Sequence, residues 1–144
     1  MFPISVETIS IVDTFNLIQL SELQIPETMR DFRKYEIWKE GMKMVKEIYR
    51  FSVELPDNER YGLRSQITRA AVSIPSNIAE GCSRKSGKDF GRFLEIALGS
   101  AFELETQLLI VNDLEFCDSS SCFEIIEHLH LIQRQINSLI QKLK

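Results

Sequence analysis

The chain has 144 residues, 44% of them hydrophobic, and a formal net charge of −4, which is the size and composition of one globular domain. It holds no run of about eighteen apolar residues, so no membrane span is predicted. Three cysteines without a Cys-x-x-Cys pair argue against a disulfide framework, and two histidines at positions 128 and 130 do not give the usual zinc-ligand spacing.

Residues 1–28 differ in character from the rest of the chain. Their apolar residues follow neither the helical nor the strand period, and Pro3 and Pro26 bracket them. The N-terminus lacks the basic region of a signal peptide, whereas "MRDFRKYEIWKEGMKMV" resembles a natural protein start. We therefore expect a poorly ordered N-terminal extension over residues 1–28, one domain over residues 29–144 and a cytoplasmic location.

Four segments carry apolar residues at spacings of three and four, the period of an amphipathic helix. These segments cover residues 36–52, 59–80, 88–111 and 121–143. Glycine and proline are scarce, so long helices joined by short links are expected. The predicted fold is all-α, an antiparallel up-down-up-down four-helix bundle.

The first helix carries two adjacent sets of apolar residues, so it is predicted to be apolar over more than one face. One set follows the three-and-four spacing and comprises Trp38, Met42, Val45, Tyr49 and Ser52. The second set widens this stripe and comprises Ile37, Met44, Ile48 and Phe51.

The second helix contains the stretch "RAAVSIPSNIAEG". A proline in mid-helix removes one hydrogen bond and clashes with the preceding turn, so Pro75 predicts a kink. Ser73 and Ser76 are spaced to bond the carbonyls that the proline frees. Beside the apolar stripe runs a polar row of Gln66, Arg69, Ser73, Asn77 and Glu80. This row either sets helix register and subunit geometry, with Arg69 reaching Glu95 or Glu103 on the third helix, or is an ordinary surface row.

The helix ends also carry recognisable signals. Asp57 or Asn58 is the expected N-cap of the second helix, and Ser86 that of the third. Gly81 is expected to end the second helix in the left-handed conformation. In the third helix, residues 99–101 form a small-residue patch that lets a neighbouring backbone come close.

Charge is distributed unevenly along the chain. Residues 30–92 hold fourteen Lys and Arg against nine Asp and Glu, and residues 93–144 hold three against eight. This asymmetry indicates either an anionic partner or helices that complement each other within a bundle or between subunits. The candidate nucleic-acid contacts on the first helix and its approach are Arg33, Lys34, Lys39, Lys43, Lys46 and Arg50, and those of the connection after the second helix are Arg84, Lys85 and Lys88. Glutamates interleave with the first group, so binding would be weak and sensitive to salt; the alternative is a solvated surface.

No motif predicts catalysis, a metal or a cofactor. "GCSRKSGK" lacks the spacing of a phosphate loop and follows a helix rather than a strand. Both histidines lie on the fourth helix. Glu127 and His130 give one Glu-x-x-His motif, whereas a di-iron bundle needs two and two further glutamates. For this motif, a metal site shared between subunits is the one alternative that the sequence does not exclude.

Three strings resemble the four-helix-bundle family of 23S rRNA intervening-sequence proteins. They are "DFRKYEIWKEGMKMVKEIY", "LRSQITRAAVSIPSNIAEG" and "FGRFLEIALGSAFELETQL", and the resemblance covers residues 31–143. It implies an antiparallel bundle that assembles as a ring-like homopentamer. A structurally similar protein, the accessory variability determinant of diversity-generating retroelements, is a basic pentamer that binds nucleic acid and a reverse transcriptase, whereas this chain is acidic overall. The recurring residues of the family map to Arg69, Ser73, Pro75, Asn77, Glu80, Gly99, Ser100, Glu103 and Glu105, and none has a catalytic role.

Two functional hypotheses follow. The first is a non-enzymatic oligomer that binds RNA, DNA or a nucleic-acid-associated protein through its basic first and second helices, without cofactor or small-molecule substrate. The alternative is an assembly or adaptor module without nucleic-acid binding, whose charged halves pair between subunits. In that version Glu103 and Glu105 meet basic residues of a neighbour, on nearly opposite faces of their helix.

Overall fold

The structure is a computed structural model that describes residues 29–144; the predicted extension at residues 1–28 lies outside the described residues. The helices are α1 (Glu36–Ser52), α2 (Leu63–Cys82), α3 (Gly87–Asp113) and α4 (Ser119–Lys142), with short 3-10 turns at Phe32–Lys34 and Asp57–Glu59. Residues 29–144 contain no strand, so the all-α prediction is confirmed. None of these helices combines the length and apolarity needed to cross a membrane.

The helices form a closed bundle in which each packs against its neighbour in the chain and α1 packs against α4. At the α1–α2 seam, Gly41 lies against Pro75, whereas the Leu55 carbonyl near the end of α1 accepts a hydrogen bond from Arg64 at the start of α2. Contacts that run in opposite directions along the two helices define an antiparallel pair. The contacts of the other three pairs of neighbouring helices, or seams, also run in opposite directions along the two helices, so these pairs are antiparallel as well.

The two apolar sets of α1 differ in burial. The second set turns inward, and Ile37, Met44, Ile48 and Phe51 are buried. Of the first set, Met42 and Tyr49 are exposed, and Trp38 and Val45 only border the core. The inward set is wholly apolar, whereas the outer set includes a tyrosine whose hydroxyl favours water. The apolar stripes predicted for α2, α3 and α4 do face the core, which they share with the second set of α1.

Gly81 serves a different purpose from the one predicted. It lies inside α2, which continues to Cys82 and closes at Ser83 with φ −74°, and none of the glycines among the described residues has a positive φ. A Cβ on Gly81 would stand 2.7 Å from the Cβ of Phe93 and 3.0 Å from Cδ2 of Phe90. Gly81 is therefore a close-approach residue between α2 and α3, and the prediction of a left-handed helix end is wrong.

Pro75 lies buried within α2, which is helical on both sides of it. Its ring packs against Gly41, whose added Cβ would stand 3.3 Å from the Cβ of Pro75. Ser73 does not bond a freed carbonyl as predicted, because its hydroxyl hydrogen bonds to Ser100 on α3. The proline thus occupies a packing site at the α1–α2 seam.

The start of α2 also differs from the prediction, whereas the N-cap of α3 agrees with it. Residues 57–59 form a 3-10 turn, and the carboxylate of Glu59 accepts a hydrogen bond from the Leu63 amide at 3.1 Å. The expected cap at Asp57 or Asn58 is therefore wrong. Ser86 caps α3 as predicted, accepting a hydrogen bond from the Asp89 amide at 3.0 Å.

Candidate nucleic-acid interface

The antiparallel fold brings distant cations to one end of the bundle. Arg30 donates a hydrogen bond to the Arg84 carbonyl at 2.8 Å, which ties the approach to α1 to the α2–α3 connection. Leu143 lies beside Gly87 at the start of α3, so the C-terminus reaches the same end. We call this region the basic end. It comprises Arg30, Arg33, Lys34, Arg84, Lys85, Lys88, Arg92, Lys142 and Lys144.

Five of these nine cations are among the nucleic-acid contacts predicted from the sequence. Lys142 and Lys144 follow a long acidic stretch, and only the antiparallel return of α4 carries them to the basic end. The opposite end of the bundle gathers carboxylates beside Arg60 and Arg64; they are Glu54, Asp57, Glu59, Asp113, Glu115, Asp118 and Glu124. Charge is therefore separated along the bundle axis, which the charge counts of residues 30–92 and 93–144 did not indicate.

Several cations of the basic end lack an acidic partner. Arg33, Arg84 and Arg92 form ion pairs with nearby carboxylates at 3.4, 3.0 and 3.4 Å. Within residues 29–144, Lys34, Lys85 and Lys88 are exposed and make no ion pair within 4.0 Å. Exposed pairs are weak, so even the paired arginines can exchange a carboxylate for a phosphate.

The N-terminus of α3 does not add an open anion site. The Ser86 hydroxyl accepts from the Asp89 amide and donates to the Asp89 carboxylate at 2.8 Å. This carboxylate already lies in the first turn, where the helix dipole favours a negative charge. Phosphate contacts in this region would therefore depend on the lysine and arginine side chains.

The basic stripe of α1 consists of Lys39, Lys43, Lys46 and Arg50, and two of these four cations are paired within the helix. Lys39 pairs with Glu36, and Lys43 with Glu40, both at 2.6 Å. Glu47 does not pair with Arg50, three residues further along α1, because its carboxylate contacts His128 on α4. The fold therefore does not join the nine predicted cations into one patch; they divide between this stripe and the basic end.

The polar row of α2 forms a hydrogen-bond chain into α3. Asn77 Nδ2 donates to Ser73 Oγ at 2.9 Å, the two serine hydroxyls of Ser73 and Ser100 lie 2.8 Å apart, and Ser100 Oγ donates to the Ile96 carbonyl at 3.1 Å. Because Ser100 uses its single proton on Ile96, Ser73 donates to Ser100. The chain runs in one direction and fixes the register of α2 against α3.

The charged members of that row do not pair as expected. Arg69 and Glu103 line a common pocket of about 300 Å³ with Ser73, yet no ion pair within 4.0 Å joins Arg69 to Glu103 or to Glu95. Glu103 instead accepts a hydrogen bond from Gln107 at 3.1 Å, and Glu80 pairs with Arg84. The predicted Arg69 pair is therefore absent within residues 29–144.

Glu105 faces the opposite side of α3 from Glu103, as the two-residue spacing predicts. It contacts His130 Nε2 at 2.8 Å and accepts a hydrogen bond from Gln133 at 2.7 Å. Burial raises the pKa of Glu105, but the hydrogen bonds from Gln133 and His130 outweigh burial and leave it below the ordinary value of 4.5. Glu105 therefore joins α3 to α4 within one chain.

His128 forms a second link, which the sequence analysis missed. Its Nε2 lies 2.7 Å from Glu40 Oε2, and its Nδ1 lies 3.0 Å from Glu47 Oε2. Glu40 and Glu47 lie seven residues apart on α1, two helical turns on one face. The partners are more than eighty residues from His128 in sequence, so no local pattern signals the contact.

The described residues offer little for metal or nucleophilic chemistry. His130 Nδ1 stands 3.8 Å from Glu127, and no cluster of three metal-ligating side chains occurs in the described part of the chain. Burial raises the pKa of the Cys82 thiol to about 11 and that of Cys122 to about 12. Thiols with such pKa values are almost fully protonated at neutral pH, and only the thiolate is a strong nucleophile.

Fold and surface together define a four-helix bundle with opposite charge at its two ends. The sequence model of the family described as 23S rRNA-intervening sequence protein matches residues 33–138. The chain therefore belongs to this family.

One solved structure with this fold comes from Bacteroides thetaiotaomicron and is described as a protein with unknown function from the S23 ribosomal protein family. It superposes with a TM-score of 0.68 at 24% identity, covering 73% of this chain and 95% of that chain. At this identity the likeness establishes the fold alone. A search of curated proteins finds no match.

Proposed function

We propose that the protein is a non-enzymatic bundle that binds RNA through its basic end. The supporting observation is the convergence of nine cations from three separate parts of the chain, of which Lys34, Lys85 and Lys88 make no ion pair within residues 29–144. Electrostatic attraction to phosphates supplies most of non-specific nucleic-acid binding. The family's association with rRNA intervening sequences favours RNA over DNA as the first ligand to test.

The net charge of −4 does not oppose this proposal. Seven carboxylates lie at the far end of the bundle, and α3 alone is about 40 Å long at 1.5 Å per residue. The Debye length at physiological salt is about 8 Å, so these seven are screened from a ligand at the basic end. The basic end itself holds four carboxylates against its nine cations; they are Asp31, Glu36, Glu80 and Asp89. Binding is then governed by the local charge of the contact surface.

Fluorescence anisotropy with a labelled single-stranded RNA at low salt tests the proposal. The double variant Lys85→Gln/Lys88→Gln removes two cations of the basic end, and Arg50→Gln/Arg60→Gln removes the same charge elsewhere. We expect the first variant to lose roughly tenfold or more in affinity and the second to lose much less. Equal losses in both variants, or wild-type protein without measurable affinity, would refute the proposed site.

A second candidate function, self-assembly, is favoured by the outer face of α3. Ile96 and Phe102 are 50% and 54% exposed. Ile110 lies in the same row of the helix as Ile96, and Leu109 in the same row as Phe102. These two exposed apolar rows lie on the outer side of α3, with Glu95 and Glu103 among them. Gly99 lies within this face, and a Cβ added there would meet nothing within 4 Å. Exposed apolar patches of this kind mark interaction surfaces, and we propose a second copy of this chain as the occupant.

The expected assembly, from the family resemblance, is a homopentamer of 16.7 kDa chains. Sedimentation velocity would compare wild-type protein with Phe102→Glu and with a control, Tyr61→Glu, at a residue that is 89% exposed and lies outside α3. We expect Phe102→Glu alone to give monomers. Wild-type monomers at all concentrations would contradict assembly, whereas unchanged assembly in Phe102→Glu would contradict the interface.

A further inference from the structure

His128 lies at a seam that no loop reinforces. α1 and α4 are the first and last helices described, and their backbones approach each other closely at fewer positions than those of any other neighbouring pair. Toward the basic end the seam widens into a groove of about 360 Å³, lined by Ile37, Leu139 and their neighbours. Contacts between side chains must therefore hold α4 against α1, and those of His128 with Glu40 and Glu47 join the two helices directly.

The chemistry of the three side chains specifies the protonation state that completes the contact. Ionised carboxylates only accept hydrogen bonds, and a neutral imidazole has one N–H donor. His128 presents Nε2 to Glu40 at 2.7 Å and Nδ1 to Glu47 at 3.0 Å. Only the imidazolium form can donate to both carboxylates. A neutral ring would leave one carboxylate facing a nitrogen lone pair.

The surrounding charges support the imidazolium form. The carboxylate of Glu40 also accepts from Lys43 at 2.6 Å, so the cluster of two carboxylates, one lysine and one imidazolium is neutral overall. On α4 itself, Glu124 lies one turn before His128 and adds a negative charge. Within the described residues, α2 and α3 supply no hydrogen bond or ion pair to His128.

We propose that Glu40, His128 and Glu47 form a proton-dependent clamp that closes the α1–α4 seam when His128 is charged and loosens it when His128 is neutral. The clamp is a property of one chain and does not depend on RNA binding or assembly. It gives the protein a conformational response to pH at the α1–α4 seam.

The direction of the response follows from the pKa of His128. Burial of the ring lowers its pKa, but hydrogen bonds to Glu47 and Glu40 and the charges of both outweigh burial, so the pKa lies above the ordinary 6.5. A raised pKa in the folded state means that the stabilisation is complete below pH 6.5. It is then lost as the pH rises through the folded value.

Long-range ¹H–¹⁵N spectra of the histidine rings test the clamp directly. The chain has only two histidines, so His130→Gln assigns the signals of His128 in protein without a histidine tag. We expect a His128 pKa above 6.5, protons on both ring nitrogens at pH 6, and a lower pKa in Glu47→Gln. A wild-type pKa at or below 6.5, or an unchanged pKa in Glu47→Gln, would overturn the proposal.

Urea unfolding between pH 6 and 9 gives the second measurement. The wild-type midpoint should fall over this range more steeply than the midpoint of Glu47→Gln, which keeps the shape of the side chain but removes its charge. Glu95→Gln also replaces a glutamate by glutamine, but at an exposed position of α3; it keeps the clamp and should retain the wild-type decline. Parallel curves for wild type and Glu47→Gln would also overturn the proposal.

Discussion

Two glycines of the α2–α3 pair provide a sharp test of the packing. A Cβ on Gly81 would stand 2.7 Å from the Cβ of Phe93, whereas a Cβ on Gly99 would meet nothing within 4 Å. Ordinary carbon–carbon contacts are about 3.5–4.0 Å, so Gly81→Ala must push α2 and α3 apart by about 1 Å locally. Gly99→Ala requires no movement.

Both changes replace a helical glycine by alanine, which stabilises a helix interior by about 1 kcal/mol. Gly99→Ala should show this gain in full, which corresponds to a rise in Tm of a few degrees. Gly81→Ala should lose it to overpacking, which costs about 1–3 kcal/mol. The free energies of unfolding of the two variants should therefore differ by about 1–3 kcal/mol.

Urea unfolding followed by circular dichroism measures that difference in protein that also carries Phe102→Glu, because assembly through the face that contains Gly99 would add to apparent stability. Gly41→Ala is an intermediate case, since its Cβ would stand 3.3 Å from the Cβ of Pro75. It should fall between the other two variants. Equal stabilisation by Gly81→Ala and Gly99→Ala would refute the close approach of α2 and α3.

Three further predictions concern the core and its polar links. Replacing Phe90, which is 1% exposed, by alanine should lower the free energy of unfolding by about 3–5 kcal/mol. Urea denaturation measures this loss, and a loss below about 1 kcal/mol would place the ring outside the core. Ser73→Ala and Ser100→Ala should each cost about 1 kcal/mol, and their double variant less than the sum; strict additivity would contradict the hydrogen-bond chain. Glu105, whose pKa is lowered, stabilises the fold above its unfolded pKa near 4.5 and loses this effect as the pH falls through the folded value; acid unfolding of Glu105→Gln should lack that part of the decline.

Periodicity alone was enough to predict the four helices and most of the core. The three-and-four spacing located α3 and α4 within two residues at each end. It could not choose between the two apolar sets of α1, because they are adjacent on the helix and the choice depends on what α2 and α4 present. Gly81 was misread for a related reason: a glycine near a helix end fits both a cap and a close approach, and the deciding contact with Phe93 lies on another helix.

The candidate site was harder to predict than the fold. Local sequence identified Arg84, Lys85 and Lys88 as a basic connection, but the lysines at the C-terminus join them only through the antiparallel path of α4. The partners of charged side chains also depend on the tertiary structure. Glu47 contacts His128, 81 positions away in sequence, instead of Arg50 on its own helix. No spacing rule within a helix predicts such a contact.

The salt dependence of RNA affinity tests the central claim most directly. For single strands, the slope of log affinity against log salt is about −0.7 per neutralised phosphate. Lys85→Gln/Lys88→Gln should make the wild-type slope shallower by about 1.4. Lys39→Gln/Lys43→Gln, which removes two lysines already paired with glutamates, should leave the slope almost unchanged. An equal change of slope in both variants, or no change in the first, would contradict RNA binding at the basic end.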